Sequence, residues 1–169
     1  DEFRNVNTVG FEWIAGSSQA IIYERERGYQ KINLYLYDPS TQTKDLLYTE
    51  SSATNIDNFT YRLVNEWNQV IFTSEKDGWK QLYALNLKDK KASRLTQGDY
   101  YINDINLIND KSGDIYFTAK GKEATNPYHD FAYKVNIKTR KTILLTPGKE
   151  NHEVSFSPDG KYLVDNIST

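Results

Sequence analysis

The sequence predicts an all-β fold, a partial β-propeller of about three four-stranded antiparallel blades and the start of a fourth. Three observations carry that expectation: a segment that returns at near-constant spacing, short apolar runs bounded by turn residues, and a composition suited to half-buried strands. Leu34-Tyr35-Leu36-Tyr37-Asp38 returns as Leu82-Tyr83-Ala84-Leu85-Asn86 and again as Ala132-Tyr133-Lys134-Val135-Asn136, so the tyrosine at its second place recurs after 48 and then 50 positions. Such a period marks a repeated supersecondary unit, and propeller repeats run to ~40–50 residues. The chain is 38% hydrophobic and 26% charged, with 13 Tyr, 7 Phe and 3 Trp, a mixture that favours strands over disorder.

Each unit opens on a strand of alternating large apolar and polar residues, around Phe11-Glu12-Trp13, Phe59-Thr60-Tyr61, Ile102 to Ile105, and Val154-Ser155-Phe156. A second strand follows at Ala20 to Tyr23, Val70 to Thr73, Ile115 to Thr118, and Tyr162-Leu163-Val164. The repeated tyrosine segment is the third. A polar turn joins it to a fourth at Leu46 to Thr49, Arg94-Leu95-Thr96, and Leu144-Leu145-Thr146. The expected blades are 9–56, 57–101, 102–151 and an incomplete 152–169, all in one domain over 1–169. Asp77-Gly78 and Asp159-Gly160 are expected in tight turns, where glycine accepts positive φ at little cost. A β-sandwich also strings together short strands, but its Greek-key connections do not demand the same residue types at one place in every unit.

A formal net charge of −2 from 21 basic and 23 acidic residues supplies no global field for nucleic acid or an anionic membrane. No apolar run approaches the roughly 18–20 residues of a membrane span, and residues 1–10 lack the basic start and apolar stretch of a signal peptide. Without Cys, structural disulfides and thiolate zinc sites are excluded, while a reducing cytosol and a disulfide-poor periplasm both stay open. A chain without Met is expected to be processed or, as we prefer, cut from a longer one.

Three stretches carry a resemblance: Thr73 to Leu87 (TSEKDGWKQLYALNL), Ile115 to Ile137 (IYFTAKGKEATNPYHDFAYKVNI), and Leu145 to Thr169 (LTPGKENHEVSFSPDGKYLVDNIST). In this order and spacing they are similar to consecutive propeller blades of dipeptidyl peptidase IV-type serine peptidases of the prolyl oligopeptidase class, bacterial members in particular. Ser157-Pro158-Asp159-Gly160 alone is also found in TolB-like propellers. The resemblance covers most of the chain from about Phe11. It implies an eight-bladed propeller capping an α/β-hydrolase domain that removes dipeptides from free N-termini, with Pro or Ala preferred at the second position. It further implies that the catalytic Ser, Asp and His follow beyond this region, and that the whole protein is periplasmic or in the cell envelope, a cytoplasmic location staying open.

The candidate residues are read against that background. A nucleophile elbow needs glycines flanking its serine, and Gly16-Ser17-Ser18-Gln19-Ala20 lacks the second and falls in an expected hairpin turn. The family's paired glutamates for a substrate ammonium have no adjacent Glu-Glu counterpart here. Glu24-Arg25-Glu26-Arg27 alternates in sign and is expected to neutralise itself on an exposed loop. His129 and His152 lack ligand companions at useful spacing and are expected to be solvated or turn-bonding, His152 just ahead of a strand. Asp57, Asp99, Asp104 and Asp110 do not match a calcium loop and suit turns. Lys88-Asp89-Lys90-Lys91 and Lys138-Thr139-Arg140-Lys141 occupy one hairpin tip in successive repeats. Trp13, Tyr61, Tyr83, Tyr133 and Phe156 follow strand periodicity and are expected in inter-blade packing.

No catalytic, cofactor-binding or metal residue is therefore assigned, no cofactor is expected, and substrate-contacting residues stay unassigned. The leading function is a non-catalytic piece of a peptidase, partnered by the hydrolase domain of its own parent chain and by that parent's peptide substrates. The other class is an independent TolB-like propeller that binds proteins. Without end caps, the faces offering Phe11, Trp13, Ile21 and Tyr23, and Val154, Phe156, Leu163 and Val164, are expected to drive self-association.

Overall fold

The computed structural model describes residues 6–56 and 58–168. Strands β1 (Val6–Trp13), β2 (Ala20–Glu26), β3 (Lys31–Asp38) and β4 (Thr43–Ser51) form a first sheet in the order β1-β2-β3-β4. A second sheet takes β5 (Tyr61–Val64), β6 (Gln69–Ser74), β7 (Gln81–Asn86) and β8 (Ala92–Arg94) in that order. A third takes β9 (Tyr101–Asn109), β10 (Asp114–Lys120), β11 (Asp130–Asn136) and β12 (Thr142–Leu144), also in chain order. The hairpin of β13 (Asn151–Phe156) and β14 (Leu163–Ser168) is the fourth sheet. The fold is all-β, with antiparallel sheets of four, four, four and two strands, the pattern of a partial propeller.

The chain divides into two compact units, one of residues up to Phe72 with Leu85–Ser93, the other of Thr73–Ala84 with residues from Arg94 onward. In the first unit, Tyr23 of β2 stacks on Tyr61 of β5 at 5.7 Å and on Phe59 at 6.2 Å, while Tyr48 of β4 meets Phe72 of β6 at 4.4 Å. In the second, Tyr116 of β10 packs on Phe156 of β13 at 5.1 Å, and Phe131 of β11 lies 5.1 Å from the His152 ring. Middle strands of the second and third sheets are buried along much of their length: Val70, Ile71 and Phe72 in β6, Leu82 to Leu85 in β7, and Ile115, Tyr116 and Phe117 in β10. Continuous burial means that both faces of the strand are covered, which is why these runs are apolar without alternation.

The hairpin tips repeat in detail. Asn86 Oδ1 accepts from the Lys88 and Asp89 amides (2.8 and 3.3 Å), Asn136 Oδ1 from the Lys138 and Thr139 amides (3.0 and 3.2 Å), and Asp38 Oδ1 from the Ser40 amide (2.9 Å). Four residues beyond each, Lys90, Arg140 and Gln42 stand at φ of 57°, 55° and 56°. A side-chain acceptor thus starts the turn and one left-handed residue finishes it.

Some strand limits differ from expectation. β5 begins at Tyr61, and Phe59 ahead of it packs on Tyr23 and on Phe72. β8 and β12 stop at Arg94 and Leu144 although Leu95 and Leu145 still donate to Leu82 and Ala132 carbonyls, both at 2.8 Å. The next acceptor on each is a side chain: Thr96 Oγ1 takes the Leu82 amide at 3.0 Å and Thr146 Oγ1 the Ala132 amide at 2.9 Å. A hydroxyl replaces the ladder's next carbonyl, so regular strand ends there. β14 starts at Leu163, and Tyr162 is exposed. Asp57 lies outside the described residues.

Gly78 and Gly160 both have positive φ, 105° and 68°, as the turn reading expects. They differ in surroundings: a Cβ at Gly78 meets nothing within 4 Å, whereas one at Gly160 falls 3.1 Å from the Tyr116 ring and hydroxyl. Gly78→Ala is expected to cost about 1 kcal/mol from backbone strain alone. Gly160→Ala is expected to cost more, and Gly160→Val more still. Urea midpoints of the three variants check this, and equal losses at the two glycines would remove the role given to Tyr116.

Candidate functional site

Ser17 sits in the exposed turn between β1 and β2. Its Oγ donates to the Ile14 carbonyl at 3.2 Å and accepts from the Gln19 amide at 3.1 Å. The hydroxyl closes a turn, and among the described residues neither a histidine nor a carboxylate is bonded to it.

Glu24-Arg25-Glu26 corrects the loop expectation, because these residues belong to β2. Period-2 alternation puts Glu24 and Glu26 on one face, where each meets a cation from another part of the sheet: Lys44 Nζ at 2.5 Å and Lys31 Nζ at 3.0 Å. On the opposite face the Arg25 guanidinium donates to the Ile56 carbonyl and lies over the Tyr29 ring at 4.7 Å. Neighbouring strands, rather than the run itself, neutralise it.

His129 is held in its loop as expected, Nε2 against the Asn126 amide at 3.1 Å and Nδ1 against the Lys149 carbonyl at 2.8 Å. His152 is a correction. It lies within β13, is 3% exposed, and its Nδ1 is 2.8 Å from Asp165 Oδ2 of β14. Strand register explains the pairing, since His152 is opposite Ile167 and Asp165 is the diagonal neighbour two residues away on the same face. Asp104 Oδ1 accepts from the Ile105 amide at 2.8 Å, Asp99 is exposed, and no group of three metal-ligating side chains occurs among the described residues.

The repeated tyrosine has a lysine at its face and an acid at its hydroxyl in each of the three four-stranded sheets. Lys76 lies over the Tyr83 ring at 4.4 Å while the Tyr83 hydroxyl donates to Asp77 at 2.6 Å. Lys122 lies over Tyr133 at 5.5 Å while that hydroxyl donates to Glu123 at 3.0 Å. Lys44 lies over Tyr35 at 4.1 Å, with Glu24 bonded to the phenol. At Tyr83 and Tyr133 an adjacent Lys-acid pair thus serves the face and the tip of one ring, while at Tyr35 the lysine comes from β4 and the acid from β2. Tyr61 and Phe156 do pack between sheets, but Trp13 does not: it is 55% exposed and edge-on to Phe11 at 6.1 Å.

One polar cleft belongs wholly to the second unit. Arg94, Leu95, Thr96, Gln97, Tyr100, Lys122, Arg140 and Thr142 enclose about 450 Å³. Arg94 donates its Nε–H to the Thr96 carbonyl at 2.7 Å, and Lys122 stands 5.7 Å from the Tyr100 ring centre. Sequence reading passed over this cleft because its three cations come from a strand end, an insertion and a hairpin tip. No spacing links them.

The family model for the dipeptidyl peptidase IV N-terminal region matches residues 8–169. Among solved structures, one described as a dipeptidyl aminopeptidase IV from Bacteroides ovatus is 21% identical with a TM-score of 0.76, over 98% of this chain and 26% of that one. The dipeptidyl peptidase 4 of Porphyromonas gingivalis is 15% identical with a TM-score of 0.74, over 92% of this chain and 22% of that one. The chain therefore spans about a quarter of the length of these neighbours, and the likeness to them is one of fold.

Burial raises the pKa of Tyr23, Tyr35, Tyr61, Tyr100 and Tyr133, the second also through Glu24 and the last also through its bond to Glu123. The fold thus favours the neutral phenols. Their contribution is complete below the unfolded value of about 10 and is lost as pH rises through the raised values. Lys80, lowered by burial, works the other way below about pH 10.4, but as one group against five. Stability is expected to fall from about pH 10 upward. Absorbance at 295 nm followed beside circular dichroism should show some tyrosines ionising only as the sheets unfold. Thirteen tyrosines titrating together near that pH, with the dichroism unchanged, would contradict it.

Proposed function

The chain belongs to the dipeptidyl peptidase IV N-terminal region family, and we propose from that premise that it is a non-catalytic propeller portion of a longer serine exopeptidase. The observation that carries the reading is the family match along residues 8–169. On this reading the chain's partner is an α/β-hydrolase domain of the same polypeptide, which holds the nucleophile, base and acid. The propeller caps that site and admits short peptides while excluding folded proteins. Its contribution to the chemistry is walls: buried, hydrogen-bonded sheets rigid enough to keep an opening at fixed width. The longer protein would release dipeptides from free N-termini and reside in the periplasm or cell envelope, as the family resemblance suggests.

The separate chain is expected not to hydrolyse Gly-Pro or Ala-Pro chromogenic substrates, while the longer protein cleaves them and spares a folded protein carrying the same N-terminus. Hydrolysis by the repurified chain, or equal cleavage of the folded protein, would sink the respective half of the proposal.

We also propose that the separate chain self-associates. In the first unit, Val9, Phe11 and Trp13 stand 58%, 66% and 55% exposed and, with Ala20, Ile22 and Tyr37, line an apolar groove of about 230 Å³. Ile21, expected on that face, is fully buried, because alternation turns it the other way. In the second unit, Val164 and Ile167 of β14 are exposed, and the two-stranded sheet offers a free edge. Light scattering across a dilution series is expected to show mass rising with concentration, and a monomeric mass throughout would refute association.

A further inference from the structure

We propose that His152 is a proton-operated latch: a second proton on its ring, taken up at Nε2, ties Glu150 of the loop ahead of β13 to Asp165 of β14. The inference stands on the surroundings of one buried ring and holds whether or not the peptidase reading does.

That ring is answered on one side only. Its Nδ1 lies 2.8 Å from Asp165 Oδ2, which makes Nδ1 the protonated nitrogen of the neutral ring and leaves a lone pair on Nε2. His152 is 3% exposed, and both its Nε2 and Asp165 Oδ1 are buried without a hydrogen-bond partner among the described residues. Two unanswered polar atoms in one buried pair are a cost, and a proton on Nε2 turns the first of them into a donor. An acceptor is close by. A Cβ placed on Gly148 would lie 2.8 Å from Glu150 Oε2 and 3.5 Å from His152 Nε2, so the carboxylate and the bare nitrogen face one small space that glycine leaves empty. Gly148 is exposed, which opens that space to a proton from solvent. The backbone amides of Lys149 and of Glu150 itself hold the Glu150 carboxyl below the usual carboxylate range, and the charges of His152 and Lys149 add to the effect. Coupling between two charges is reciprocal, so each favours the other.

Charged groups on the other elements around the ring are turned elsewhere. From β11 the Phe131 ring faces it at 5.1 Å, while Asp130 and Lys134 lie on the opposite face of that strand and pair with Lys120 at 3.7 Å and Asp114 at 3.5 Å. The one charged residue of β9, Asp104, takes the Ile105 amide, and Glu153 of β13 is exposed on the face away from His152. His129 grips the same loop from another side, its Nδ1 against the Lys149 carbonyl at 2.8 Å and its Nε2 against Asn126. Asp165 and Glu150 are therefore the two carboxylates that meet a charged His152. With the ring neutral, Glu150 caps its own loop by accepting from the Lys149 amide at 2.8 Å. With the ring charged, one imidazolium donates to both carboxylates and fastens residues 147–150, which join β12 to β13, onto the last hairpin.

The test is an NMR titration of the full chain, labelled with nitrogen-15, between about pH 8 and pH 5, read at the ring nitrogens of His152 and at the Lys149 amide. The ring is expected to show the Nδ1–H tautomer at the upper end and the imidazolium at the lower, with the Lys149 amide moving at the same midpoint. Glu150→Gln keeps a side-chain oxygen for that amide but removes the charge, and is expected to lower the midpoint of the ring by about one pH unit. His129→Gln removes the other histidine in contact with Lys149, and the joint movement of the His152 ring and the Lys149 amide is expected to survive it. A ring that stays neutral across the whole range, a midpoint that Glu150→Gln leaves unchanged, or an amide that follows His129 instead would overturn the latch.

Discussion

Strands covered on both faces cannot share their polar groups with water, and that constraint shapes most of the chemistry in this chain. A buried donor left without an acceptor costs about 1–3 kcal/mol, which favours an answer inside the protein for the amides of the sheets. The amides of Leu82 and Ala132 are answered by Thr96 and Thr146, two hydroxyls that stand in for backbone carbonyls at equivalent places in successive repeats. Gln81, fully buried at the start of β7, sends its amide to the Tyr100 carbonyl at 2.7 Å. Lys80 beside it donates to the Asn103 carbonyl at 3.0 Å, and burial holds its pKa below the usual lysine range. These groups look like functional candidates by residue type. Their partners show that they hold sheets together.

The turns answer a second demand, that each hairpin reverse in few residues without shifting register. An Asx acceptor and a left-handed residue four places later meet it at three tips, and the same arrangement closes the hairpin of β9 and β10, where Asn109 Oδ1 accepts from Lys111 and Ser112 ahead of Gly113 at φ 73°. Local turn preference and sheet register therefore point the same way, a consistency expected of a sequence that specifies one fold. The lysines at these tips need no ligand to explain them: Lys90 pairs with Asp45 at 2.9 Å, and the others share a solvated turn.

Catalysis and recognition are separated in the function proposed for this chain. The serine that most resembles a nucleophile is spent on a turn, and the acidic run that most resembles an amine site is matched to Lys31 and Lys44. The polar cleft in the second unit differs from both, since Arg94, Lys122 and Arg140 line it together with neutral side chains. A scaffold of repeated sheets can carry such a cleft because its rigidity comes from strands, while the cleft's residues come from strand ends and loops.

The repeat of Leu34 to Asp38 at 48 and 50 positions was enough to identify four-stranded units, and with them the hairpin tips and the buried middle strands. These features are periodic, and periodicity is a property of the chain read in one dimension. The sequence by itself could not tell that His152 would be buried against Asp165, that Trp13 would remain exposed, or that Glu24 and Glu26 would each find a lysine. Nor did it join Arg94, Lys122 and Arg140, which are separated by 28 and 18 positions and share no pattern. Tertiary structure decided those matters, because burial and pairing across strands depend on which segments fold against each other, and residue types alone do not record that.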